Sequence, residues 1–245
     1  MKLTDAERRE NREAFAGMTL SQRLGYIFEY YKFPLVLILI AVVALGSMLY
    51  YRITYRDTLL YLAYANVAVG NTLDTELGEG FTRSIGADPG RYEVKVYRNL
   101  YLTNDASVQD HQYSYASRLK LMAAMTGGQL DVMLMNREAY DIMSSGGYLL
   151  PLEELLKQDS TLFQRIGGRL TKNTVVIEDN EIEHRLDESV PFQAVTETEA
   201  NAILVSPFEM FERAELSGDV YLGVIGNSAR MDTVLQYIDY LTGKE

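Results

Sequence analysis

The chain has 245 residues, with 23 Lys and Arg against 34 Asp and Glu, and a net charge of -11. This length suits one ordinary domain with an extension, or two small domains. The acidic balance disfavours nucleic-acid binding, because phosphate contacts need clustered Lys and Arg. The lack of Cys excludes disulfides and Cys-ligated metal centres, and two distant histidines disfavour a His-rich metal site.

An uncharged apolar segment, FPLVLILIAVVALGSMLYY, fills residues 33–51. A helix of this length covers roughly 28 Å, close to the ~30 Å hydrocarbon core of a bilayer. Tyrosines flank the segment at both ends, as is typical of membrane interfaces. The pattern predicts one transmembrane helix over residues 33–51, with the lipid bilayer as its partner.

Two alternatives to the membrane span are a buried helix of a soluble protein and a cleaved signal peptide. A buried helix would need partners around its whole circumference. A signal peptide has an apolar region of roughly 7–15 residues, whereas this segment is longer and follows a charged leader. The membrane span is therefore the preferred interpretation.

The leader, residues 1–32, carries six basic and five acidic residues. After the span come Arg52 and Arg56, and then no Lys or Arg before Arg83. The positive-inside bias favours a cytoplasmic N-terminus at the cell membrane, with residues 57–245 outside. Residues 19–32 have the pattern of an amphipathic helix, either lying at the interface or docking a cytoplasmic partner. We expect a bend near Phe33, because Pro34 suits the first turn of a new helix.

Apolar runs and helical periodicity alternate from residue 58 onward. Strands are predicted over residues 58–69, 92–102, 130–135, 174–177, 200–206 and 219–225. Helices are predicted over 72–85, from the cap pair Ser107 and Asp110 to Thr126, over 137–145, and after 226–228. This alternation predicts an α/β fold with a largely parallel sheet. An acidic hairpin is expected around Asp179 and Asn180.

Polar side chains follow several of these strands. Ligands of open α/β sheets bind at loops beyond the carboxyl ends of the strands. Asn offers donors and acceptors, and Tyr offers a stacking face, which would suit a neutral polar ligand such as a sugar. Asn and Ser are also ordinary turn residues, so the pattern has a purely structural explanation as well. The candidate ligand-binding residues are Asn66, Asn71, Asn136, Tyr140, Tyr148, Asn227 and Ser228.

The sequence carries no common catalytic or nucleotide-binding motif, so we expect a non-catalytic protein with no cofactor and no metal. The acidic pairs Glu153-Glu154 and Glu181/Glu183 are interpreted as solvated surface. His184 lies in the acidic run EDNEIEHRLDE, which allows a weak calcium site or a charged edge hairpin. The hairpin is preferred, because acidic residues commonly protect exposed strand edges.

Two stretches carry a family pattern. The first has Ala124, Gly127-Gly128, Asp131-Val132, and then Gly147-Tyr148-Leu149 with Pro151-Leu152. The second is YLGVIGNSARMDTVLQYIDYLTG, residues 221–243. Together they resemble extracellular solute-binding proteins of ABC transporters, especially the sugar-binding group. The border Tyr30-Tyr31-Lys32 before an Ile, Leu and Val run is similar to small membrane proteins of Gram-positive clostridia.

The resemblance implies a periplasmic-binding-protein-like domain, shortened so that its second lobe is reduced. One function it implies is a membrane-anchored, extracytoplasmic module that captures a small polar solute for an ABC transporter by lobe closure. The alternative is a degenerate binding-protein fold that serves as an interaction or accessory subunit of a membrane transporter or envelope complex.

Overall fold

The computed structural model describes residues 19–105, 111–157, 159–187 and 189–243. Within its helices, the side chains of residues 20–24, 26–32, 35, 53 and 111 lie outside the description. The predicted helix cap at Ser107 and Asp110 also lies outside the described residues. The chain divides into two compact units, residues 1–55 and 56–245.

The first unit contains the helix α1, Leu20–Thr54. The expected junction of two helices near Phe33 is not found, because α1 is one helix that contains Pro34. A proline removes one backbone donor, and the hydrogen bonds on either side of it can remain. The described side chains between Phe33 and Arg52 are all exposed. Within the part of the chain that the structure describes, no helix is both long enough and apolar enough to cross a membrane.

The second unit is built on a six-stranded sheet of order β2-β1-β3-β6-β5-β4. The strands are β1 Asp57–Ala65, β2 Tyr92–Leu100, β3 Val132–Met135, β4 Leu170–Asp179, β5 Ala194–Leu204 and β6 Tyr221–Val224. The neighbours β2, β1 and β3 are parallel, whereas β6 is antiparallel to both β3 and β5, and β4 is antiparallel to β5. The predicted α/β class is confirmed, with a mixed sheet in which parallel pairing is confined to β2, β1 and β3.

Helices cover both faces of this sheet. The helices of the second unit are α2 (Asn71–Thr75, a π-helical turn Glu76–Gly80, and Phe81–Ser84), α3 His111–Thr126, α4 Arg137–Ser145, α5 Leu152–Lys157, α6 Ser160–Ile166, α7 Glu181–Leu186, α8 Glu209–Glu212 and α9 Met231–Thr242. One core cluster lies against α2, α5, α6 and α9, and the other against α3 and α4. Successive residues of β1 alternate between the clusters, as the two-residue period of a strand requires.

The π-helical turn of α2 is tied to α9 by two tyrosine hydroxyls. Tyr237 donates to the Leu77 carbonyl at 3.1 Å, and Tyr240 donates to the Glu76 carbonyl at 3.0 Å. A Cβ at Gly80 would lie 2.5 Å from the Tyr240 hydroxyl, so glycine permits this close approach. The π turn is therefore explained by packing against α9.

The outer part of β4 and β5 extends past the rest of the sheet. The strand β6 pairs with β5 only from Ala202 to Leu204, whereas β4 pairs with β5 as far as Asp179 and Ala194. We call residues 174–199 the arm. The acidic hairpin expected around Asp179 and Asn180 is confirmed, and its strands are connected by α7 and a loop.

Candidate functional site

Strand direction divides the predicted ligand-binding residues between two edges of the sheet. Asn66 and Asn136 follow the carboxyl ends of the parallel strands β1 and β3. The carboxyl end of β6 lies at the opposite edge, because β6 is antiparallel to β3. Asn227 and Ser228 follow β6 and therefore lie at that opposite edge. A site shared by all of these residues would require β6 to run parallel to β1 and β3, but β6 is antiparallel to β3.

The residues at the first edge are used within the fold. The Asn66 side chain donates to the Leu102 carbonyl and accepts from the Leu102 amide, both at 2.7 Å. Asn66 also has a φ of 56°, which explains why β1 ends at Ala65 although the apolar run continues. The Asn136 side chain caps α4 by accepting from the Ala139 amide at 2.9 Å. Asn71 is exposed and begins α2.

Tyr140 belongs to a buried polar network at the base of the arm. Its hydroxyl lies 2.8 Å from Asn201 Oδ1 and 3.0 Å from the Thr171 carbonyl. Asn201 donates to Ser144 Oγ at 2.8 Å, and Ser144 donates to the Thr174 carbonyl at 3.1 Å. Burial raises the pKa of Tyr140 above its ordinary value. This buried tyrosine connects α4 to β4 and β5, so it does not face a ligand.

Tyr148 and Asn227 meet at a groove of about 380 Å³. Tyr148 is 39% exposed, and the Asn227 side chain donates to the Met125 carbonyl at 2.9 Å. The lining residues are Met122, Met125, Thr126, Gly147, Tyr148, Ile225, Gly226 and Asn227. The volume lies in the range of small-molecule sites, and the thioethers and the tyrosine ring supply apolar surface. Two of the seven predicted residues therefore share an open cavity.

Ser228 contacts a buried carboxylate that the sequence did not single out as a site. Asp131 is fully buried and accepts from the Tyr61 amide at 2.8 Å and from Ser228 Oγ at 2.7 Å. The Arg230 guanidinium lies 3.3 Å from Asp131 Oδ1 and 4.7 Å from the Tyr61 ring centroid. This cluster joins β1, β3 and the turn before α9. An Asp directly before a wholly apolar strand was the sequence signal for it.

A second groove, of about 730 Å³, separates α5 from the base of the arm. Its lining includes Glu153, Glu154, Lys157, Lys172 and Glu199. Glu153 and Glu154 are exposed, and Lys157 donates to Glu153 at 2.9 Å, as in an ordinary helix-surface pair. The interpretation of these glutamates as solvated surface is confirmed.

The end of the arm, residues 177–195, which we call the arm tip, contains a hydrogen-bonded turn around Asn180. The Asn180 side chain accepts from the Gln193 amide at 2.7 Å and donates to the Pro191 carbonyl at 3.0 Å. His184 Nδ1 lies 2.6 Å from the Val190 carbonyl. Among the described residues, no group of three or more His, Asp or Glu side chains is placed to hold a metal ion. His184 therefore connects α7 to the following loop, which favours the charged hairpin over the calcium site.

The same tip exposes five large apolar side chains, which the sequence analysis missed. Ile182 and Leu186 lie four residues apart on α7 and are 77% and 84% exposed. The full set is Ile177, Ile182, Leu186, Phe192 and Val195, each more than half exposed. Ile182 and Leu186 have i,i+4 spacing within an acidic run, but this spacing alone does not distinguish an exposed helix face from a buried one.

No protein-family model, curated protein or solved structure matches this chain. The likeness to solute-binding proteins therefore rests on the residues quoted from the sequence.

Proposed function

We propose that this chain is a non-catalytic, single-pass membrane protein whose extracytoplasmic domain binds a partner protein of a membrane transporter or envelope complex through the arm tip. The observation that carries this proposal is the exposure of five large apolar side chains on a tip whose turn at Asn180 is hydrogen-bonded. Apolar surface of this kind marks interaction sites more often than isolated exposed residues do.

The surroundings of the predicted solute-binding residues also favour an interaction role. The Asn66 side chain is bonded to the Leu102 backbone, the Asn136 side chain to the Ala139 amide, and Tyr140 is buried. The described residues of the second unit form one compact body around one sheet. Closure of two lobes around a solute needs two bodies joined by a hinge. An arm that presents apolar side chains needs no such motion.

The membrane anchor is proposed from the sequence of residues 33–51, because the described residues alone provide no spanning helix. The exposure of every described side chain from Phe33 to Arg52 supports it, since a lipid environment would cover them. We expect the full chain to remain in the membrane after an alkaline wash. External protease should cleave residues 57–245 in intact cells and leave a protected leader. Release by the wash, or protection of the large domain, would refute the anchor or its orientation.

Site-specific photo-crosslinking tests the arm interaction. A photoreactive residue at position 182 or 186 of the full chain, in its native membrane, should give a discrete crosslinked protein. The same residue at Gln164, an exposed position on α6, is the matched control and should give none. The role of the arm is excluded if positions 182 and 186 crosslink no more than position 164.

The groove at Tyr148 and Asn227 supports a second candidate function, the capture of a small polar solute such as a sugar for an ABC transporter. A ligand at 100 times its dissociation constant stabilises a protein by about 2.7 kcal/mol, which a thermal-shift screen detects. We expect Tyr148→Ala to weaken any such ligand about tenfold or more, because the ring is the one aromatic in the groove lining. A ligand whose shift is unchanged in this variant does not bind in the groove.

A further inference from the structure

The arm tip combines apolar surface with a strong negative charge. Residues 177–195 carry six acidic residues and one basic residue, Arg185, and two more glutamates follow at 197 and 199. Resting on the interaction role proposed above, we propose that the arm tip docks a cationic amphipathic segment of its partner. The apolar side chains of that segment would cover Ile182 and Leu186, and its Lys and Arg would face the surrounding carboxylates.

Among the described residues of the tip, several carboxylates are exposed and accessible to a basic partner. Arg185 pairs with Glu181 at 2.8 Å, which uses the one arginine of this stretch. Asp179 and Glu183 are exposed. Asp187 accepts from the Ser189 hydroxyl at 2.6 Å and from the Ser189 amide at 2.9 Å, and these two bonds lower the pKa of Asp187. The described part of the tip therefore presents acidic side chains as well as apolar ones.

Charge also argues against other occupants of the same surface. Two copies of the arm would bring two strongly acidic tips together, and like charges brought together at an interface are destabilising. An anionic lipid surface would repel the arm for the same reason. The leader of this chain is nearly balanced, with six basic and five acidic residues, and the proposed topology places it across the membrane. A basic partner segment satisfies both the charge and the apolar surface.

The two parts of the surface have different roles in binding. Burial of Ile182 and Leu186 supplies affinity, because each side chain is more than three-quarters exposed in this chain. The acidic residues select a basic partner and speed its approach. Added salt should therefore slow association with a cationic partner and leave the apolar contribution in place.

Synthetic helical peptides with one common Leu-rich face and a polar face of Lys, Gln or Glu provide a direct test. They are titrated into the detergent-solubilised full chain, with detergent alone as the blank. The Lys peptide should bind most tightly, the Gln peptide about tenfold more weakly, and the Glu peptide weakest. Equal affinities, or tighter binding of the Glu peptide, would overturn the proposal.

Variants locate the binding and distinguish its causes. Ile182→Ser combined with Leu186→Ser should weaken the Lys peptide by about tenfold or more, since a few central apolar residues dominate interfaces. Leu119→Ser, at an apolar residue 49% exposed on α3, is the matched control and should have no effect. If Leu119→Ser weakens binding of the Lys peptide equally, the peptide does not bind at the arm tip. Glu181→Gln with Glu183→Gln should reduce the preference for Lys over Gln, and an unchanged preference overturns the role of charge.

The crosslinking experiment separates this inference from the proposed function. A discrete crosslink at position 182 or 186 to a partner segment without Lys or Arg would refute the cationic partner while supporting the arm as an interaction site. Absence of any crosslink at both positions would refute the interaction role itself.

Discussion

Asp131→Ala is expected to lower the free energy of unfolding by about 3 kcal/mol, because it removes a fully buried carboxylate that accepts two hydrogen bonds and pairs with the partly exposed Arg230. Asp131 is fully buried, and its two oxygens accept from the Tyr61 amide and the Ser228 hydroxyl. Alanine would leave the Tyr61 amide without its side-chain acceptor and Arg230 without its carboxylate. Urea unfolding followed by circular dichroism measures the loss.

Two further variants separate charge from hydrogen bonding at Asp131. Asp131→Asn keeps one oxygen as an acceptor but loses the charge facing Arg230, so it should cost less than Asp131→Ala. Arg230→Met removes the guanidinium that lies over the Tyr61 ring and donates to the Gly128 carbonyl at 3.0 Å. If Asp131→Ala cost less than about 1 kcal/mol, the carboxylate would contribute no more than an ordinary hydrogen bond.

Local patterns were sufficient to predict the class of the fold and most of its elements. The helix predicted over 137–145 and the helix end predicted at Thr126 are confirmed, because both depend on neighbouring residues. Gly128 has a φ of 63°, and its amide bonds to the Met125 carbonyl, as a helix C-terminus requires. The last helix, predicted after 226–228, is also confirmed, and it buries Val234, Ile238 and Leu241.

The direction of β6 could not be predicted from its residues. A short apolar strand has the same composition whether its neighbours run parallel or antiparallel to it. That direction places Asn227 and Ser228 at the opposite edge from Asn66 and Asn136, so it decides which predicted residues can share a site. Tyr140 illustrates a second limit, because burial of its hydroxyl depends on Asn201, which is distant in sequence.

The arm was difficult to recognise for a related reason. Its acidic residues correctly indicated an exposed hairpin. They did not indicate that Ile182 and Leu186 are exposed as well. The exposure of an apolar residue depends on the surrounding fold, which helical spacing does not reveal. The same i,i+4 spacing describes the buried face of α9 and the exposed face of α7.

The free energy of unfolding is expected to fall steeply above pH 10. Tyr64, Tyr140 and Tyr237 are buried, and burial raises the pKa of each above its ordinary value of 10.0. The Asp74 carboxylate, which accepts from the Tyr64 hydroxyl at 3.0 Å, raises the pKa of Tyr64 further. The stabilisation from these tyrosines is complete below pH 10, where both states hold the proton. Above it, the unfolded chain releases protons that the folded chain retains.

Each of these tyrosines should remove about 1.4 kcal/mol of stability per pH unit above pH 10, or roughly 4 kcal/mol for the three together, until its folded pKa is reached. Urea unfolding at a series of pH values measures the slope. Tyr237→Phe should reduce the slope by about one third, because the variant keeps the ring but has no proton to lose. The free energy of unfolding of this variant should also be about 1 kcal/mol lower at neutral pH, because the hydrogen bond to the Leu77 carbonyl is lost. If all three tyrosines ionised near pH 10 in the folded protein, as followed by tyrosinate absorbance, the slope could not arise from their burial.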